Sequence, residues 1–182
     1  MKSVLISIRP KWCELIASGK KTIEVRKTKP KLETPFKVYI YCTDGYVAPH
    51  SFLFAKSGKR KVIGEFLCDK VDRIAHCGTC NNDISLKIVD KKLYCKELDY
   101  AYLNKCKLSY CNIDEYSNGF DVYGWHISNL VIYDKPKDLD YFRKSIDCHR
   151  GKDREKCKGC WDCEITRPPQ SWCYVESEVT KC

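Results

Sequence analysis

The sequence contains no long apolar run, no internal repeat and no low-complexity tract, and each absence removes a class of protein. Nowhere do the roughly 18 consecutive apolar residues that cross a bilayer occur, so no membrane-spanning helix and no membrane partner are expected. No secretory leader is expected, since Met1-Lys2-Ser3 precedes an apolar run that Arg9 and Pro10 interrupt too early for one. A cytoplasmic location follows as the expectation. No stretch has the composition of a disordered segment, so the whole chain reads as folded.

What is present suits one domain, residues 1–182, carrying a Cys-rich insertion at 148–166. A chain of 182 residues, 43% of them hydrophobic, has enough apolar material for one core and is too short for two ordinary domains. The formal net charge is +9, which favours a polyanionic partner through phosphate contacts and counterion release; solubility explains the same charge equally well. Oligomeric state leaves no signature.

The chain is organised around Ser18-Gly19-Lys20-Lys21-Thr22-Ile23-Glu24-Val25-Arg26, where a short helix hands over to a strand. Side chains alternate along a strand, so Thr22, Glu24 and Arg26 share one face while Ile23 and Val25 share the other. A carboxylate flanked by positive groups is either an ion pair that holds the strand or a site that grips a polar ligand. Upstream, Val4 to Arg9 reads as a first strand, with Val4, Ile6 and Ile8 on one face and Leu5, Ser7 and Arg9 on the other. Pro10 opens a helix over Lys11 to Ser18, and Gly19 stops it. Downstream, Lys27-Thr28-Lys29-Pro30-Lys31 is a basic loop.

Phe36 to Thr43 is rich in aromatic and β-branched residues and reads as a strand. Lys56 to Lys61 places four positive charges in six residues, as a solvated hairpin tip or a phosphate contact. Lys61 to Ile74 is a long strand that Gly64 bends. Ile84 to Tyr94 reads as a hairpin or a variable excursion, and Leu98 to Leu103 as a helical turn. Ser109 caps a short helix that Asn118-Gly119 ends. Tyr123 to Tyr133 is a strand closed by Asp134-Lys135-Pro136. Lys137 to Ile146 has the spacing of a short helix, and Ser171 to Glu176 is a last strand. The fold class is α+β: a small closed or nearly closed β-barrel with short helices at its mouth and a Cys-rich, metal-binding excursion before the last strand.

Fourteen cysteines without a leader point to metal thiolates or buried thiols rather than disulfides. Cys157, Cys160 and Cys163 stand at two-residue gaps, with Cys148 and His149 upstream. Tight turns at that spacing present thiolates to one tetrahedral zinc, with Cys148 or His149 as the fourth ligand. So polar an excursion has little else to hold it, and metal would supply its folding energy. An iron–sulfur cluster is the alternative occupant. Cys77 and Cys80 form a weaker second pair, for which Cys106 and Cys111, or Cys95, are possible companions. Cys13, Cys42, Cys68 and Cys173 fall in helix or strand patterns and read as small core residues.

Gly19, Lys21, Glu24 and Arg26 fit the Gly-x-Lys-x-x-Glu-x-Arg signature of the ASCH family, and the chain resembles that family of small PUA-like barrels linked to RNA metabolism. Ser7 to Trp12, Tyr123 to Ile127 and Arg167 to Glu176 add to the resemblance. It implies a cleft between barrel and first helix, faced by Lys21, Glu24 and Arg26, with Ser7, Arg9 and Trp12 close by and Trp125 and His126 opposite. Such a set suits a nucleobase: the carboxylate accepts from amine or ring N–H, the cations meet phosphate or carbonyl oxygen, and aromatic faces stack. The expected ligand is RNA or a modified nucleoside, with DNA as a further possibility and no organic cofactor.

Some ASCH relatives are amidohydrolases that deacylate 4-acetylcytidine with a threonine nucleophile, a lysine and a later glutamate. Lys21 matches that lysine, Glu24 stands where the nucleophile would be, Thr22 lies two residues earlier, and Glu65 is placed to act as the glutamate. A deacylase using Lys21 and Glu24 is therefore the alternative reading, with Glu24 as a general base for water. A protein-interaction module whose basic face is incidental is the third. His126 also reads as a strand histidine satisfied by its neighbours, and Trp125 and Trp172 as core. The metal expectation has a direct check: protein purified without added metal should carry about one zinc per chain by elemental analysis.

Overall fold

Alternation in the first strand sorts its side chains between two separate cores. In the computed structural model, which describes residues 2–46, 51, 58–75, 93–94, 100–144 and 163–176, Val4, Ile6 and Ile8 of β1 (Lys2–Ile8) pack on one side and Leu5 on the other. Burial on both faces explains why the polar Ser3 and Ser7 are also almost wholly enclosed. Pro10, with its preset φ, opens α1 (Pro10–Ala17). The helix stops at Ser18, and Gly19 turns the chain at φ +70°, a conformation that costs glycine little. The next strand is β2 (Ile23–Arg26).

The remaining elements are β3 (Phe36–Cys42), β4 (Lys61–Ala75), β5 (Leu93–Tyr94), α2 (Tyr100–Cys106), α3 (Tyr110–Ser117), β6 (Val122–Lys137), a 3₁₀ turn (Leu139–Tyr141) and β7 (Trp172–Glu176). They form one sheet in the order β2-β6-β4-β3-β1-β7, with β5 beside β4. Pairing is antiparallel except for β1 with β3 and β4 with β5.

A closed or nearly closed barrel was the expectation; the sheet is open, with β2 and β7 as its edges. β2 is four residues long and gives way to a basic loop with no alternating strand pattern, so it has little backbone to offer a second neighbour. Side chains cross the gap instead. Arg26 Nη2 donates to the Ser7 carbonyl at 2.6 Å, Trp172 Nε1 donates to Thr28 Oγ1 at 3.0 Å, and the Lys31 backbone N–H donates to the Tyr174 hydroxyl at 2.7 Å.

Three apolar clusters hold the sheet. One joins β1, β3, β4 and α1 around Trp125, Phe36 and Phe66. A second sets Ile23 and Val25 of β2 against Cys106 and Ile113 of α2 and α3. The third packs Leu5, Tyr39 and Val175 with Phe142 and Ile165. Ser109 caps α3 by accepting from the Asn112 N–H, and left-handed Asn118 ends the helix, as its sequence predicts.

Two elements differ from expectation. Within the expected helix Lys137 to Ile146, the described residues 137–144 form only a 3₁₀ turn at Leu139–Tyr141: Phe142 is drawn edge-on against Tyr39 at 4.8 Å, and Arg143 and Lys144 make extended bridges to Glu164 and Val175. β6 also runs through Asp134-Lys135-Pro136 to Lys137, pairing Lys137 with Val62 beyond a register shift. Of the Ile84 to Tyr94 excursion only Leu93–Tyr94 lies within the described residues. No helix among the described residues is long and apolar enough to cross a membrane.

Gly64 sits at the bulges on both sides of β4, where an added Cβ would lie 2.3 Å from the Val131 carbonyl oxygen. Backbone cannot yield as a side-chain tip does, so Gly64→Ala should cost about 1–3 kcal/mol in urea unfolding. A loss indistinguishable from zero would mean that the bulge tolerates a methyl group and that the bend is set elsewhere.

Candidate functional site

Because Ile23 and Val25 enter the second core, Glu24 and Arg26 face the other way, opposite Trp125 and Tyr123 of β6. The Glu24 carboxylate lies between two cations: Oε2 is 3.3 Å from Lys21 Nζ and Oε1 is 3.0 Å from Arg26 Nη2. Each cation is anchored a second time. Lys21 Nζ donates to the Cys106 carbonyl at 2.6 Å, and Arg26 Nη2 donates to the Ser7 carbonyl at 2.6 Å. Lys21 is 2% exposed, Glu24 6% and Arg26 8%, so desolvation is severe and these partners are what make burial tolerable. The triad nevertheless keeps one positive charge more than it cancels. Arg26 Nε and Trp125 Nε1 are buried donors without a partner among the described residues.

Two partly exposed aromatic rings border the triad. Lys21 Nζ stands 5.1 Å from the centroid of Trp12 on α1. Tyr116 on α3 is 38% exposed and close enough to Glu24 and Arg26 to feel both charges. Burial pushes its phenol above the ordinary value and Glu24 adds to the rise, while Arg26 and the Lys27 backbone N–H oppose it. Tyr116 was not expected from the sequence; an aromatic at the end of a capped helix is a weak signal.

The other expected residues are dispersed. Ser7 is buried, its hydroxyl donating to the Pro169 carbonyl at 2.6 Å. Arg9 is exposed, and its carbonyl accepts the first helical N–H groups of α1. Glu65 bonds Lys37 at 2.8 Å and the Tyr133 hydroxyl, neither of which belongs to the triad. His126 has the opposite parity to Trp125, and its Nε2 lies 2.6 Å from Asp72 Oδ2 on β4. That makes it a strand histidine satisfied by a neighbour, in a second polar cluster with Lys70, 2.9 Å from Asp72. Burial alone would raise the Asp72 carboxyl, but hydrogen bonds and charge from Lys70 and His126 outweigh it and hold the group below its ordinary value. Gly124 admits Tyr102 here: an added Cβ would lie 2.2 Å from the Tyr102 hydroxyl.

Of the expected metal ligands, Cys148, His149, Cys157, Cys160, Cys77 and Cys80 lie outside the described residues, as does Cys95. Cys163 is described and buried, its carbonyl accepting from the Lys144 N–H at 2.9 Å. Among the described residues no three His, Cys, Asp or Glu side chains come together as a metal site. Cys13, Cys42 and Cys68 are core residues as expected, and Cys173 is half-buried. Cys106 also packs in a core, and burial pushes its thiol up to about 12, with Lys21 opposing; Cys111 is exposed.

Glu24→Gln would leave two buried cations without a carboxylate, and should cost about 3–5 kcal/mol in chemical unfolding at neutral pH. A loss below about 1 kcal/mol would remove the triad from its central place. Asp72 has a depressed folded pKa, so its contribution is present above the unfolded value and lost as pH falls through the folded one. Asp72→Asn should therefore flatten the acid limb of the stability curve; an unchanged limb contradicts the pairing.

Residues 6–45 match the family model described as ASCH domain. No curated protein matches the sequence. Among solved structures, a single-residue mutant of the ASCH protein from Zymomonas mobilis is similar at 18% identity and a TM-score of 0.55, covering 100% of this chain and 92% of its own. The unmutated Zymomonas mobilis protein aligns at 18% identity and a TM-score of 0.50, over 98% of this chain and 88% of its own. The chain is thus similar to ASCH domains in two independent ways, by sequence across the segment that holds the Lys21–Glu24–Arg26 triad and by fold along its whole length.

Proposed function

We propose that the protein is a PUA-like ASCH module that binds RNA or a modified nucleoside at the triad. The observation that carries this is the excess of buried positive charge: two cations share one carboxylate, and the Arg26 Nε donor has no acceptor among the described residues. An oxygen acceptor carried by a base carbonyl or a phosphate answers both features. Trp12 and Tyr116 offer aromatic faces beside it, and base–aromatic stacking is worth about 1–3 kcal/mol. The overall charge of +9 favours a phosphate-bearing partner over an acidic small molecule alone, and does not separate RNA from DNA.

The reading includes a structural zinc bound by Cys163 with Cys148, Cys157 and Cys160. In its favour stand the thiol spacing and the burial of Cys163. Its role is structural, to fold residues 148–166.

The deacylase reading is weaker. Lys21 is engaged by Glu24 and the Cys106 carbonyl, and Glu65 by Lys37 and Tyr133, so neither group stands ready for proton transfer.

Calorimetric titration with cytidine and 4-acetylcytidine tests the proposal, alongside acetate detection by proton NMR. Binding without acetate release is expected, weakened about tenfold in Trp12→Leu with the melting temperature retained. Acetate release lost in Lys21→Ala would establish the enzyme instead. Absence of binding to either nucleoside, together with a protein partner recovered by pull-down, would favour an interaction module.

A further inference from the structure

The basic loop that follows the triad is laid against aromatic rings rather than against carboxylates. Lys27 Nζ stands 5.1 Å from the Tyr116 ring centroid and Lys29 Nζ 5.9 Å from that of Tyr123. The Lys31 backbone is fixed to the Tyr174 hydroxyl, and the Tyr174 ring also carries Lys2 Nζ at 4.1 Å. Thr28 is held from below by Trp172. All four lysines are exposed, and no ion pair among the described residues includes any of them.

That arrangement separates position from charge. A carboxylate would fix each ammonium but cancel its field, whereas a ring face orients the cation and leaves its full charge outward. Lys37, Lys59, Lys61 and Lys70, by contrast, each meet an acid. The seam thus gathers four cations without a carboxylate partner among the described residues, and it begins one residue after Arg26.

We propose that the loop 27–31 and the adjoining β7 edge form a track for the phosphates of single-stranded RNA, met by Lys2, Lys27, Lys29 and Lys31. The inference rests on RNA as the ligand of the triad: a strand with one base beside Glu24 and Arg26 is delivered directly onto the loop. Partly exposed rings between the cations suit unpaired bases, whose faces a duplex keeps stacked inside. Acidic proteins match the charge but have no use for the rings.

The test is fluorescence anisotropy of the full chain with a labelled oligouridylate of about ten nucleotides across a salt series. Lys27→Gln/Lys29→Gln/Lys31→Gln should reduce the slope of log K against log salt by about 2, near 0.7 for each phosphate that is no longer neutralised, and weaken binding roughly tenfold or more. Lys59→Gln/Lys105→Gln/Lys135→Gln, of equal charge change on other exposed positions, should leave the slope within error of the unsubstituted protein. The track is overturned if the two triple variants weaken binding equally, or if duplex RNA or poly-glutamate of matched charge binds as tightly as the oligouridylate. Cytidine titration in the same variants reads the triad separately. Cytidine binding retained beside an unchanged oligouridylate slope sinks the track and spares the triad; a track-dependent slope without cytidine binding does the reverse.

Discussion

One carboxylate between two cations holds together parts of the chain that the backbone ladder does not join. Glu24 pairs with Lys21, which reaches the last carbonyl of α2, and with Arg26, which reaches Ser7 on β1. β2 is an edge strand, and β1 lies one strand in from the other edge. The guanidinium therefore spans the gap that an additional pair of paired strands would otherwise close. Charges buried this deeply are costly unless they are met, and each here has two partners, with Arg26 Nε left over. The opening of the sheet is bridged by polar contacts, which specify geometry more narrowly than apolar ones.

Those contacts also divide the molecule chemically. Along β6, consecutive residues turn to opposite sides: Trp125 enters the main core across from Glu24, and His126 meets Asp72 in a separate cluster. The triad and the His126–Asp72 pair thus occupy different faces of one strand. The aromatic rings follow the same division, with Trp125 fully enclosed and Trp12 and Tyr116 left partly open beside the cations.

Much of this was legible from local patterns. The alternation in β1 and β2, the proline start and glycine stop of α1, the serine cap of α3 and the bend at Gly64 are local events, and local residue chemistry decides them. The face shared by Glu24 and Arg26 belongs to the same class. Closure of the sheet was not legible, because it depends on whether two distant edges offer backbone to one another. The stretch after Lys137 misled for a related reason: its helical spacing is real, but Phe142 gains more by packing on Tyr39 than a short exposed helix gains from its own bonds. Asp72 and Tyr102 escaped notice because their partnership with His126 joins three elements that no spacing rule connects.

The placement of β1 between β3 and β7 has a consequence for how the chain is made. As the polypeptide leaves the ribosome, β1 emerges first and can pair with β3 early, but its other flank stays bare until more than a hundred further residues have been translated. An apolar strand whose flank is covered only by a segment made so much later is open to mispairing in the interval.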